Sequence, residues 1–177
     1  YTATEGSARY VAANIQSCQP HYAMAVQHQL YHDQSNLNSV ESKVGAGLNC
    51  PLWLGLRQST LGVEASLLQN HALKNGRPGG HRGGWQLQMD WQFPLLRGLF
   101  STQLNHTELT DRSGYSPVLA SGADRWLRRS YLLLQYRQPL YTDMALLVNF
   151  YHQRQSSNIE LFESLDTTLE VGISVAF

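Results

Sequence analysis

Trp85-Gln86-Leu87-Gln88-Met89-Asp90-Trp91-Gln92-Phe93 places a large apolar side chain at every odd position and Gln or Asp at every even one. A β-strand turns successive side chains to opposite faces, so this stretch reads as a strand with one oily face and one wet face. The pattern recurs along the chain. Leu169, Val171, Ile173, Val175 and Phe177 alternate with Glu170, Gly172, Ser174 and Ala176. Leu61, Val63, Ala65 and Leu67 alternate with Thr60, Gly62, Glu64 and Ser66. Shorter runs are Leu146, Val148 and Phe150; Leu132, Leu134 and Tyr136; and Met24 and Val26.

A soluble β-sandwich also alternates, since its strands have a core face and a water face. Two details favour a different solution. The runs approach ten residues, the length of a tilted membrane-spanning strand, where soluble strands average about five or six. The wet face carries small or amide-bearing residues, as a narrow polar lumen requires. The expected fold is therefore all-β: an antiparallel transmembrane β-barrel with 8–10 strands in this chain. A soluble meander is the competing reading.

Composition agrees. Thirteen Lys and Arg balance thirteen Asp and Glu, so the basic patch expected of a nucleic-acid binder is not predicted. Hydrophobic residues make up 42%, yet no apolar run nears the ~20 residues of a membrane-spanning helix. Tyr1 to Gly6 has neither the basic start nor the apolar stretch of a leader, so a leader has been removed or residue 1 lies inside a longer protein.

Proline punctuates the pattern at Pro20, Pro51, Pro94 and Pro139, each after an alternating run and just before another. Lacking an N–H for the ladder, proline marks a strand end, so these sites read as four short turns, on the periplasmic side of a barrel. Between them, residues 70–84, 110–127 and 155–166 read as long polar loops on the other side. Residues 1–20 are expected to form an N-terminal strand over residues 8–18 or a short helix from Ala8 to Cys18 capped by Ser7, and 21–177 the barrel. With the strand, nine strands make this the C-terminal part of a larger barrel; with the helix, eight close alone. Tyr31 to Leu37 also resembles Tyr151 to Ile159, each followed by a Glu-Ser pair, which suggests a duplicated hairpin.

On this register Glu41, Lys43, Glu64, Gln86, Gln88, Asp90, Arg137 and Glu170 point into the lumen. Charges removed from water need partners. In a small barrel they fill the interior; in a larger one they line a channel. Cys18 and Cys50 each sit just before a short turn, where an oxidising periplasm permits a bridge; spacing leaves its reach open.

The last strand resembles the C-terminal signal of Gram-negative outer-membrane proteins, a terminal Phe177 preceded by apolar residues at Val175, Ile173, Val171 and Leu169. The resemblance implies recognition by the barrel-assembly machinery. Residues 154–163, Arg-Gln-Ser-Ser-Asn-Ile-Glu-Leu-Phe-Glu, followed by the closing strand, look like the final hairpin of barrels attached to tetratricopeptide-repeat domains. Surface lipoprotein assembly modifiers and exopolysaccharide-export porins are two such groups. That likeness implies translocation or surface export in the outer membrane, among lipid and lipopolysaccharide, with a periplasmic helical-repeat domain or partner. A closed anchoring barrel and a rim-active lipid-modifying enzyme are the alternatives.

Catalytic chemistry has thin support in the sequence, and neither enzyme, cofactor nor metal is expected. His106-Thr107-Glu108 and His152 near Ser156 and Ser157 are the local clusters, and both read as rim residues. The His-x-Ser spacing of lipid A deacylase barrels is absent. His28 and His32 share a strand face, while His71 and His81 fall in a loop and read as solvated. His21 carries no signal. Gly76 to Gly84 lacks the Gly-Lys-Ser/Thr ending of a phosphate loop; with Lys74, Arg77, His81 and Arg82 it reads as a mobile basic loop beside anionic lipid.

Overall fold

The structure is a computed structural model describing residues 2–175, except 56, 75, 117 and 119–121, with backbone only at residue 54. Nine strands follow one another: β1 (Thr2–Val11), β2 (Gln19–Leu30), β3 (Ser39–Leu54), β4 (Arg57–Ala72), β5 (Arg82–Leu95), β6 (Gly98–Gly114), β7 (Asp124–Tyr141), β8 (Met144–Ser157) and β9 (Ser164–Val175). Each pairs antiparallel with its sequence neighbour, giving one meander in the order β1 to β9. The sheet is open: β1 pairs only with β2, and β9 only with β8. Ser35–Leu37 and Glu160–Phe162 each form a single helical turn. No helix is long and apolar enough to cross a membrane.

The N-terminal segment is a strand, but at Thr2–Val11 and not over 8–18, and it pairs residue by residue from Thr2↔Leu30 to Val11↔His21. A helix there would have left the N–H and C=O groups along one edge of β2 without partners. Eight strands closing alone is not the arrangement seen.

From β2 onward long and short connections alternate as expected, whereas the β1–β2 connection, expected to be short, takes residues 12–18; the long loops are shorter than the sequence suggested. β4 continues to Ala72, β6 to Gly114, and β7 starts at Asp124. Polar residues lengthen the ladder there because cross-strand hydrogen bonding is indifferent to side-chain polarity. The prolines lie inside the strand ends, not at the turns: β3 runs past Pro51 to Leu54, and the register shifts between Pro139 and Tyr141. Near these ends the lost N–H is tolerated. The two resembling segments both close hairpins at the long-loop end, each with one helical turn, but the turns start at different offsets.

Polarity is inverted relative to a soluble domain. The buried apolar side chains are Leu68, Ala145 and Ile159, while Ser39, Ser66, Asn70, Asn105, Asp111, Arg125 and Ser157 are also buried. Large apolar groups stand in the open instead, with Leu67 70% exposed and Leu169 and Val171 67%. Register joins them into one face. Val44 lies opposite Leu67, which lies opposite Trp85. Met89, Leu104 and Leu132 continue it, then Leu134, Phe150 and Leu169.

Cys18 is bridged to Cys50, with Cα atoms 4.2 Å apart. Gln16 and Ser17, both with positive φ, make the tight reversal that presents Cys18 opposite Ile15. The bridge ties the β1–β2 connection to β3 across 32 residues. Replacing both cysteines with serine is expected to lower unfolding stability by about 3–4 kcal/mol for a loop of this length. Denaturant titration checks this, with faster migration of the bridged chain on non-reducing gels as the companion readout.

Candidate functional site

All eight residues expected to line a lumen lie on one face of the sheet. Glu41, Lys43 and Glu64 sit on β3 and β4, Gln86, Gln88 and Asp90 on β5, and Arg137 and Glu170 on β7 and β9. The register carries this face from Glu64↔Gln88 and Gly62↔Asp90 through Asp90↔Gln103 to Asn149↔Glu170. Leu169, Val171, Ile173 and Val175 lie on the opposite face. Phe177 lies outside the described residues.

Two charge clusters organise the polar face. In the first, Glu64 accepts from Lys43 Nζ at 2.9 Å and from Ser66 Oγ at 3.0 Å, and meets Nε2 of His21 at 3.1 Å. His21 is 3% exposed and lies over Gly47, where a Cβ would come within 2.5 Å of its ring. The missing side chain at Gly47 is what lets the imidazole reach across β3 to Glu64.

The second cluster lies toward the long loops. The Asp111 carboxylate forms ion pairs with Arg82 Nε at 2.8 Å and Arg125 Nε at 3.0 Å, and accepts a hydrogen bond from Arg125 Nη2 at 3.3 Å. Asp111 is 2% exposed and Arg125 3%. The guanidinium of Arg125 stacks on the rings of Tyr115 and Phe162, 4.3 Å from each centroid. Gly79, at φ +77°, passes so close to Asp111 that any Cβ would collide with its carboxylate. Arg77 hydrogen-bonds Asn70, which donates to Glu41 at 3.2 Å. Burial in the loop pulls the Arg77 guanidinium below its ordinary pKa, opposed by nearby Asp111, and it stays cationic. The Gly76 to Gly84 segment thus turns Arg77 toward Asn70 and Arg82 toward Asp111. Lys74 bonds Ser35 at 2.8 Å at the rim.

A third cluster lies on the apolar face, where the aliphatic stripe gives way toward the long loops. Leu104 is followed by His106 and Glu108 on β6. Leu132 gives way to Ser130 and Arg128 on β7, and Phe150 to His152 and Arg154 on β8. Pairing sets His106 beside Ser130, and Ser130 beside Arg154. Nδ1 of His106 is 2.7 Å from Ser130 Oγ, and its Nε2 is 3.6 Å from Glu108 Oε1. Arg128 Nε donates to the same carboxylate oxygen at 2.6 Å. Trp85 packs on His106 with centroids 5.3 Å apart. A groove of about 460 Å³ adjoins the cluster, walled by Leu87, Met89, Leu104 and Leu132.

The remaining histidine expectations resolve individually. His152 binds Thr167 Oγ1 at 2.8 Å instead of meeting Ser156 or Ser157. His71 and His81 do come together, with centroids 5.2 Å apart, but Nδ1 of His81 accepts from the Ala72 N–H. Among the described residues no third ligand joins them. His28 is in β2, whereas His32 lies beyond its end, 3.0 Å from Thr2 Oγ1.

Sequence reasoning passed over His21, Asp111, Arg125 and Ser130. Ser130 had a usable signal: it breaks the stripe of Leu132 and Leu134, just as His106 and His152 break theirs. Aligning the three breaks needs the strand register, which residue spacing does not supply.

No protein-family model, curated protein or solved structure matches this chain.

Asp111 neutralises the buried guanidinium of Arg125 and the half-buried one of Arg82, so Asp111→Asn leaves Arg125 unpaired and is expected to destabilise the fold by about 3–5 kcal/mol. Lys74→Ala, on the rim, is expected to leave the denaturation midpoint unchanged. Chemical denaturation of the two variants makes the comparison.

Proposed function

We propose that this sheet is part of the wall of an outer-membrane β-barrel of a Gram-negative bacterium, and that its polar face lines a passage for translocation or surface export. The inverted polarity carries this reading. Water strongly disfavours a continuous face of Leu, Val, Ile, Met, Phe and Trp with ionic groups buried on the other side; hydrocarbon favours it. The strand lengths, 10 to 18 residues, suffice to cross a bilayer and extend beyond it. Short turns at one end and longer loops at the other match the asymmetry of such barrels. The Cys18–Cys50 bridge suits an oxidising compartment.

The open sheet favours a channel over a small closed plug. In hydrocarbon, unpaired strand edges cost several kcal/mol per unsatisfied group, so β1 and β9 need strand partners. Further strands enlarge the ring, and a larger ring leaves a water-filled lumen between clusters such as Lys43–Glu64 and Arg82–Asp111. The likeness of the last hairpin to export barrels points to the same role, with a helical-repeat domain or partner on the periplasmic side.

Nitroxide labels at Leu61, Leu87 and Val171 are expected to meet lipid-soluble quenchers, and labels at Gln88 and Glu170 water-soluble ones. Protein-shielded labels at Leu87 and Val171 would overturn the membrane reading. Planar-bilayer recording tests the passage: discrete conductance steps support export, while a silent, heat-modifiable barrel in the same lipid identifies a closed anchoring barrel.

A further inference from the structure

Six neighbouring residues on the apolar face have no task in lining a passage. We propose that Ser130, His106 and Glu108 form an acyl-ester hydrolase site, acting on fatty-acyl esters of lipids that lie against the barrel. The proposal rests on this face meeting lipid.

The parts stand in the required order. Ser130 Oγ and His106 Nδ1 are 2.7 Å apart, within reach for proton transfer. The opposite ring nitrogen faces Glu108 Oε1 at 3.6 Å, so a proton on Nε2 points to the carboxylate and leaves the Nδ1 lone pair for the serine. Glu108 is itself fixed by Arg128 at 2.6 Å, and Trp85 backs the imidazole. The order serine, imidazole, carboxylate is that of a hydrolase triad, with the serine–imidazole pair at hydrogen-bond distance and the imidazole–carboxylate pair at ion-pair distance. On the other side of Ser130 the ladder places Arg154, which lines the same groove. Among the described residues Arg154 is in no ion pair, so its guanidinium is available to the oxyanion that forms during attack.

The groove names the substrate class. Its walls at Leu87, Met89, Leu104 and Leu132 continue the aliphatic stripe, so an acyl chain lying along the stripe brings its ester to the level where Leu132 gives way to Ser130. Polar solutes have no comparable purchase there.

The chemistry balances without an added oxidant or reductant. Ser130 Oγ bonds to the ester carbonyl carbon while its proton passes to His106. Collapse of the adduct breaks the acyl C–O bond, and the departing alcohol takes the proton from His106. Water then adds to the acyl-serine, giving a proton to His106. The second collapse frees the fatty acid, and Ser130 recovers its proton. Ester and water enter; acid and alcohol leave.

The test uses the full-length protein bearing this chain, folded in detergent. It is treated with a long-chain alkyl fluorophosphonate, then assayed for fatty-acid release from phosphatidylethanolamine–phosphatidylglycerol vesicles and, separately, from lipopolysaccharide. The expected result is one phosphonate adduct on Ser130 and release from one of the two lipids, which identifies the source of the ester. Ser130→Ala and His106→Asn are expected to lower release at least about 100-fold. Glu108→Gln is expected to lower kcat with KM little changed. Heat-modifiable migration of each variant reports the fold, and with it the membrane reading, separately from turnover. A folded wild-type protein that takes no adduct at Ser130 and releases no fatty acid from either lipid overturns the proposal.

Discussion

Every strand here hydrogen-bonds through its backbone to a neighbour in sequence, and that unbroken ladder decides where each side chain can go. Side chains alternate with period two, so a slip of one residue between any pair would exchange the two faces. Leu67 would then point to the side that carries Gln86 and Gln88, and Glu64 and Ser66 to the side that carries Trp85 and Leu87. Among the described residues no second layer packs on the sheet to correct such an error. Register must be enforced within the sheet, and three devices enforce it. The Cys18–Cys50 bridge holds the β1–β2 connection to β3. The Glu64 cluster joins β2, β3 and β4. The Asp111 cluster joins β5, β6 and β7.

The ionic clusters also explain small residues that otherwise look incidental. Gly47 vacates the space that His21 fills, and Gly79 vacates the space above the Asp111 carboxylate. In each case the backbone comes close so that a charged or polar group can be enclosed by partners instead of water. Arg125 shows the same economy, with a carboxylate at its edge and two touching aromatic rings beside it. Buried ionic groups such as these are weak contributors to stability, because desolvation offsets much of the attraction, but removing one partner is severe. Their value lies in fixing which strand lies where.

The apolar face is uniform over most of its extent and then changes character across β6, β7 and β8. On each strand the last aliphatic residue of the stripe is succeeded by a residue with chemistry: His106 after Leu104, Ser130 after Leu132, His152 after Phe150. Polar residues at this level suit a lipid headgroup region, and that role needs no particular distances between them. Ser130 and His106 add a specific contact, with a carboxylate behind the imidazole and a groove beside it. That contact separates a site from a polar fringe.

The alternation itself was legible in the sequence. Trp85 to Phe93 and Leu169 to Val175 declare two-faced strands, and all eight residues assigned to the polar face from that period lie together on it. Period two follows from the geometry of one strand, so one strand's residues suffice to reveal it. The extent of the loops, the strand at residues 2–11 and the inward fold of Arg77 and Arg82 were not legible, because backbone pairing and ion pairing depend on the neighbour and not on the residue. The triad of Ser130, His106 and Glu108 joins positions 22 to 24 apart whose meeting is fixed by the β6–β7 register. The sequence by itself determined which residues share a face. Only the tertiary structure decided which become neighbours across it, since lateral contact is set by how far each strand slides against the next.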